Sequence, residues 1–305
     1  MRNAFSTVLS AAALADPKIL LLTGDHGYAL FDDFRKQNPD QFINCGIAEQ
    51  NMVGVAAGLA KAGYKPIVYG LSSFIPVRVL EQIKLDICYE NLPVIFIGDG
   101  AGIVYGALGS SHQSIEDIAI LRAIPNLAIL SPCDEIEMTY TMTEALRLKK
   151  AVYLRIGKSD IGKIHEAQVS VPIGDLLQVR SGTDKKTAFI ATGSMVKTAI
   201  VLAKRISDND VWSIPSIKPI NFQQINTLAR QYENLMVLEE HNKIGGLGSA
   251  IAEIVSALQG VRACVHRLGI NDKFSECCGS YEYMRREHKI DLESLFTEIS
   301  SLVEI

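Results

Sequence analysis

The chain has 305 residues, enough for two domains that each bury a core of ordinary size. Hydrophobic residues make up 48% and charged residues 21%, which excludes a disordered chain. A net charge of -4 leaves no electrostatic footprint for nucleic acid or an anionic membrane surface.

The opening MRNAFSTVLSAAALADPK places one basic residue before a short apolar stretch, the outline of a weak signal peptide. Its apolar positions run on into a domain pattern, and no uninterrupted apolar run of spanning length follows, so a soluble, cytoplasmic chain is expected. Cys45, Cys88, Cys133, Cys264, Cys277 and Cys278 form no CxxC pair and are read as reduced, structural thiols. The adjacent Cys277 and Cys278 lack His or Cys partners at ligand spacing.

From Lys18 onward, short β-branched or apolar runs alternate with helix-like stretches, the pattern of parallel α/β units. The first series predicts strands over Lys18–Thr23, Pro66–Tyr69, Pro93–Ile97, Leu127–Ser131 and Ala151–Arg155. Helices are predicted near Ile47–Lys61, Val77–Tyr89, Ile115–Arg122 and Glu135–Leu148. The polar, aperiodic GKSDIGKIHEAQVS reads as a linker. A second series then predicts strands over Thr187–Ala191, Val211–Ile214, Leu235–Glu239 and Ala263–Arg267. Its helices fall near Met195–Ile206, Gln223–Gln231 and Gly248–Leu258. The expected architecture is α/β with two doubly wound domains, over residues 1–160 and 173–305, joined by a linker over 161–172.

Several segments hold residues suited to chemistry. In NCGIAEQNMVGVAAGLAK, Glu49 heads a helix of small and apolar residues, on which Gly54 and Gly58 share a face open to close helix approach. A carboxylate against such a surface has its neutral form favoured, as a proton donor requires; an exposed acid in a helix's first turn is the plainer reading. In VYGLSSFIPVRVLE, Phe74 could offer its face to a planar heterocycle or simply fill a core. GDGAGIVYGALGSSHQ carries five glycines in sixteen residues after a strand and ends in His112, a proton relay or a helix cap. Asp25 and Arg155 lie at strand ends, where α/β sheets collect ligands, and Arg155 has the fork for a phosphate. The glycine-rich turn in VLEEHNKIGGLGSAIAEI is weak evidence for a nucleotide site.

Gly98, Asp99 and Gly100, followed by Asn126, imitate a GDG…N magnesium motif. Here GDG opens a glycine-rich loop and Asn126 enters a strand, so metal binding is not expected on this chain.

Collinear, these segments resemble the C-terminal two-thirds of transketolases and of deoxyxylulose-phosphate synthase, most closely the C-terminal subunit of transketolases made as two chains. The similarity spans essentially the whole chain. GIAEQNMVGVAAGLA is its most specific motif, supported by SSF…EQIK, SHQSIEDIAILRAIPNL, SIKPIN and EEHNKIGGLGSAIAE. It implies a pyrimidine-binding domain, then a C-terminal domain without cofactor contacts. It also implies thiamine diphosphate as cofactor and transfer of a two-carbon ketol unit from a ketose to an aldose.

On that resemblance, Glu49 is the acid that hydrogen-bonds N1′ of the aminopyrimidine, and Phe74 is the ring stacked on it. Asp25 corresponds to an acid near the cofactor and the dimer interface, and His112 to a histidine on substrate hydroxyls. Arg155, with Arg2, aligns with arginines gripping a substrate phosphate. The diphosphate-binding domain is absent, so an N-terminal partner chain is implied as the source of the Mg²⁺ site, in an α2β2 assembly or through a self-dimer. The chain departs from the family at Gly100, where a His is usual, and at Ala107 and Leu108, which replace a Glu-Asp pair. Ala29 stands where a serine is usual. The sugar specificity is therefore open. A 2-oxo-acid dehydrogenase beta subunit, a deoxyxylulose-phosphate-synthase-like enzyme and a non-catalytic assembly subunit are the alternatives; SHQSIEDIAILR favours transketolase.

Overall fold

The computed structural model describes residues 1–158 and 162–303. Residues 159–161, where the expected first domain meets its linker, lie outside the described residues. Twelve strands occur among the described residues. They are β1 (Ile19–Thr23), β2 (Phe42–Asn44), β3 (Lys65–Leu71), β4 (Ile95–Asp99), β5 (Leu127–Leu130), β6 (Ala151–Ile156), β7 (Leu177–Arg180), β8 (Asp184–Ala191), β9 (Asn209–Ser213), β10 (Ser216–Lys218), β11 (Asn234–Asn242) and β12 (Cys264–Ile270).

Seven form one sheet in the order β10-β5-β6-β4-β3-β1-β2, and five form a second in the order β12-β11-β8-β9-β7. Both sheets are parallel except at β10 and β7, each antiparallel to its neighbour. Period-two burial explains the layering. Leu20, Leu22, Val68 and Phe96 face a core built with Met52, Val53 and Ala56 of the helix Glu49–Lys61. Leu21, Ile67, Ile97 and Leu154 face the opposite core, with Phe5 and Leu9 of the helix Arg2–Ala15 and Met138 and Met142 of the helix Glu135–Arg147. The second sheet is covered on both faces in the same way.

Two α/β sheets with helices on both faces are the architecture that the sequence implies. The strand predictions fall on real strands with ends displaced by at most three residues. One helix prediction fails in detail. Over Val77–Cys88 the chain forms a 3-10 turn, a single α-turn at Leu80–Gln82 and a π-helical stretch, rather than one regular helix. Pro76, just before it, lacks a backbone donor, and π-helical turns often mark functional sites.

The strand β10 has no forerunner in the sequence pattern: it leaves the second half of the chain to pair with β5 of the first sheet, so the halves are stitched together by backbone. The helix Arg2–Ala15 is a folded element that buries Phe5, Leu9 and Ala13. Among the described residues, no helix is long and apolar enough to cross a membrane. All six cysteines are free, but Cys264, Cys277 and Cys278 are exposed, so a structural role fits Cys88 and Cys133, and in part Cys45.

Candidate active site

The strand β1 pairs with β2 on one side and β3 on the other, so chain order reverses there. Crevices outside the carboxyl ends of parallel strands at such reversals are where open α/β sheets take ligands. Asp25 and His26 follow β1 and Phe74 follows β3. The helix Glu49–Lys61 begins just after β2 and brings Glu49 to the same edge.

Glu49 is 4% exposed. Its Oε2 accepts a hydrogen bond from Arg78 Nη1 at 2.9 Å, while its Oε1 is buried without a hydrogen-bond partner. The apolar setting inferred for Glu49 is therefore only half of what surrounds it. Arg78 reaches it because the turn after β3 is helical, with Arg78 N–H donating to the Phe74 carbonyl at 3.2 Å. The guanidinium also lies over the Phe74 ring, 4.0 Å from its centroid. On its other sides Phe74 meets the rings of His112 (5.5 Å, edge-on) and His26 (6.3 Å). His112 Nδ1 is 3.0 Å from Ser111 Oγ.

Asp25 adopts φ 63°, a left-handed conformation that Asp tolerates better than most residues. Its Oδ1 accepts from Tyr28 Oη at 2.5 Å and Asn44 Nδ2 at 3.2 Å. The bond from Tyr28, then that from Asn44, holds its carboxyl below the ordinary range. One edge of the sheet thus gathers Glu49, Phe74, His112 and Asp25. It adds Arg78, His26, Asn44 and Tyr28, which sequence reasoning missed. The turn-length spacing from Phe74 to Arg78 was the one available signal.

The two arginines expected on a phosphate are placed elsewhere. Arg155 is 2% exposed, and its Nε donates to Asp117 Oδ2 at 2.7 Å. Its Nη2 donates to the carbonyls of Glu240 (2.8 Å) and Ser114 (3.3 Å). It shares a strand face with Tyr153, whose hydroxyl binds the same carboxylate, so it turns into the core between the domains. Arg2 forks onto Asp99, Nε to Oδ1 at 3.0 Å and Nη2 to Oδ2 at 2.5 Å, and donates to Tyr105.

Asp99 is 2% exposed and also accepts from Tyr69 Oη at 2.8 Å. Asn126 precedes β5, level with the start of β6, whereas Asp99 is level with Ile156 at its end. Five strand residues, about 17 Å, separate those levels. Asp99→Asn should therefore lower the melting temperature by loosening Arg2 yet leave any Mg²⁺ requirement of the assembled protein unchanged. A large rise in that requirement would make Asp99 a ligand after all.

Gly100 also has a physical account. Its φ is +73°, and a Cβ there would lie 2.0 Å from the Tyr105 ring. Tyr105 fills the space that a larger residue would need. Ala107 and Leu108 are exposed on the same loop.

The pyrimidine binding domain model of transketolase matches residues 1–163, and the transketolase C-terminal domain model matches residues 174–292. The chain is 34% identical over 261 residues to a subunit of the apulose-4-phosphate transketolase of Phocaeicola vulgatus, covering 84% of this chain and 83% of that one. It is 35% identical over 274 residues to the 1-deoxy-D-xylulose-5-phosphate synthase of Mannheimia succiniciproducens, covering 90% of this chain and 43% of that one. Its fold superposes with a TM-score of 0.88 on a solved split-gene transketolase, described as an inactive beta4 tetramer, at 30% identity over 98% of this chain and 97% of that one. With both domain models matched in order and full-length relatives at this identity, the chain belongs to the transketolase family.

Proposed function

We propose that the chain is the C-terminal subunit of a two-chain, thiamine-diphosphate-dependent transketolase that moves a two-carbon ketol unit from a ketose to an aldose. The observation that carries this is the buried, unpartnered Oε1 of Glu49, tied through Arg78 to the Phe74 ring at the reversal point of the sheet. A buried acceptor without a partner is costly unless a ligand meets it. An aminopyrimidine offers a ring nitrogen that can accept the proton of a protonated Oε1, and a flat ring that Phe74 can orient.

When bound, the cofactor supplies the electron sink for breaking and forming the carbon–carbon bond. The chain's own residues do the rest. Glu49 holds and returns a proton at the pyrimidine nitrogen, and Arg78 fixes its other oxygen. Phe74 orients the ring. His112 and His26, against Phe74, are placed to hold substrate hydroxyls and move their protons. Asp25, braced by Tyr28 and Asn44, keeps a negative charge at the rim. Arg155 is buried on Asp117, and Arg2, though partly exposed, is held on Asp99 and Tyr105, so this reading assigns neither to a phosphate.

The Mg²⁺ and diphosphate site belongs, in this reading, to an N-terminal partner chain. Three observations support that. Asp99 and Asn126 are separated, and both Asp99 oxygens are taken. A relative that the chain covers to 83% is itself named as a subunit of a transketolase. The glycine face of the helix Glu49–Lys61 is open, with nothing within 4 Å of a Cβ at Gly54 or Gly58, and could receive a second chain in a heterotetramer.

The chain alone should accordingly bind thiamine diphosphate weakly, and calorimetry with the partner and Mg²⁺ should recover tight binding. Tight, Mg²⁺-dependent binding by the chain alone would overturn the divided site. Turnover of the assembled enzyme, screened with ketose donors and aldose acceptors, tests the reaction itself. Release of CO₂ from a 2-oxo acid without ketol transfer would point instead to synthase-like or dehydrogenase chemistry.

A further inference from the structure

Away from this cleft, three side chains with no part in it converge where the interdomain segment crosses the first domain. Cys133 and Glu137 are fixed by the head of the helix Glu135–Arg147, and His165 comes from the polar segment between the domains. Sequence spacing hides the group, because His165 is 28 residues beyond Glu137. One ligand atom from each, a thiol sulfur, a carboxylate oxygen and an imidazole nitrogen, all lie within 4.8 Å of one another. Cys133 and Glu137 are fully buried, and the His165 side chain is 12% exposed.

We propose that Cys133, Glu137 and His165 form a binding site for a zinc-class divalent transition ion that fastens the interdomain segment to the first domain. Sulfur, nitrogen and carboxylate oxygen are the donors such ions take, with bonds of about 2.0–2.3 Å. Tetrahedral ligands at those lengths stand about 3.3–3.7 Å apart. His165 Nε2 and Glu137 Oε1 are already at 3.5 Å, so the remaining closure is about an ångström of side-chain movement.

Two further observations point to a ligand. His165 Nε2 is buried without a hydrogen-bond partner, on the side where the ion would sit. Its other nitrogen, Nδ1, faces Asp134 Oδ2 at 3.3 Å. A carboxylate on the far nitrogen of an imidazole is the usual outer support of a metal-bound histidine. Asp134 Oδ2 also accepts the backbone N–H groups of Ile164 and His165, at 2.9 and 2.8 Å, which holds the segment in place.

Ser213 Oγ donates to Glu137 Oε1 at 2.6 Å and lies 3.8 Å from Cys133 Sγ, so it holds the carboxylate while a water completes the fourth position. A thiolate and a carboxylate neutralise a dipositive ion among its direct ligands, and the remaining charge of Asp134 is met by His165 Nδ1 and two backbone N–H groups. Binding releases the thiol proton, and any proton on His165, to solvent. The ion would thereby tie the end of one domain, the connecting segment and β9 of the other.

The test uses the full chain, purified without a metal-affinity step, stripped with a chelator and titrated with Co²⁺ and then Zn²⁺. Cys264, Cys277 and Cys278 are exposed, so the titration is repeated with all three changed to Ser. One Co²⁺ per chain is expected, with a thiolate-to-cobalt charge-transfer band that persists in this triple variant, vanishes in Cys133→Ser and is displaced by Zn²⁺. His165→Gln should weaken binding by more than the roughly 10–100-fold lost with outer supports. Zn²⁺ should also slow proteolysis within residues 162–176. If the folded triple variant shows no charge-transfer band, the proposal fails, and His165 is a cation bridging Asp134 and Glu137 without metal. Absence of the band in that spectrum overturns the proposal even if the Cys133 or His165 variants do not fold.

Discussion

In the proposed role of Glu49, Glu49→Gln should lower turnover of the assembled enzyme on the order of 10²–10⁴-fold, the usual contribution of a positioned acid–base group. Assembly and the fold should survive. Gln keeps the shape and length of Glu49, and its carbonyl can still accept from Arg78. The Arg78 side chain is 45% exposed, so the charge lost from that pair matters little to stability. What Gln cannot do is hold and return a proton at Oε1, the atom left unpartnered in the core. The loss should therefore fall in kcat, with weaker cofactor binding as a smaller effect. Hydrogen–deuterium exchange at C2 of the bound cofactor reads the step directly. Equal exchange in mutant and wild type, with activity preserved, would reduce Glu49 to a buried helix-terminal acid.

The legibility of this site in the sequence follows from what each residue's role depends on. Glu49 and Asp25 sit where the backbone puts them, at a helix start and after a strand, and apolar periodicity locates both. Phe74 and His112 follow β3 and β4, so their meeting follows from the sheet order. Arg78 depends on a distorted helical turn whose path the sequence did not reveal. Similar limits apply to the fold. The strands β1, β3, β4 and β6 are apolar runs buried on both faces, and such runs stand out. The strand β2 is three residues long at the sheet edge, and β10 exists only because β5 offers it an antiparallel partner. Neither carries a periodic signal. Arg155 shows the converse limit: a strand end marks the level of a residue in the sheet, and the face it takes decides between solvent and core.

Arg155 supplies the second large effect. Arg155→Met should destabilise the chain by about 3–5 kcal/mol, the range for removing one partner of a buried ion pair. Its guanidinium is the cation bonded to Asp117, which is 0% exposed and also accepts from Tyr153 Oη at 2.8 Å. Asp117 Oδ1 already lacks a hydrogen-bond partner. Nearby, burial pushes His241 down to about 4, so at neutral pH it brings no positive charge to replace Arg155. Burial likewise pushes Glu239 up to about 7. Met keeps much of the volume but leaves Asp117 charged and unpaired, and it frees the carbonyls of Ser114 and Glu240. Arg155→Met with Asp117→Asn should recover part of the loss, because no buried charge is then left alone. Urea unfolding of the two single variants and the double measures this coupling. Unchanged stability in Arg155→Met, together with a raised KM confined to phosphorylated donors, would return Arg155 to the substrate and require the domain interface to open around it.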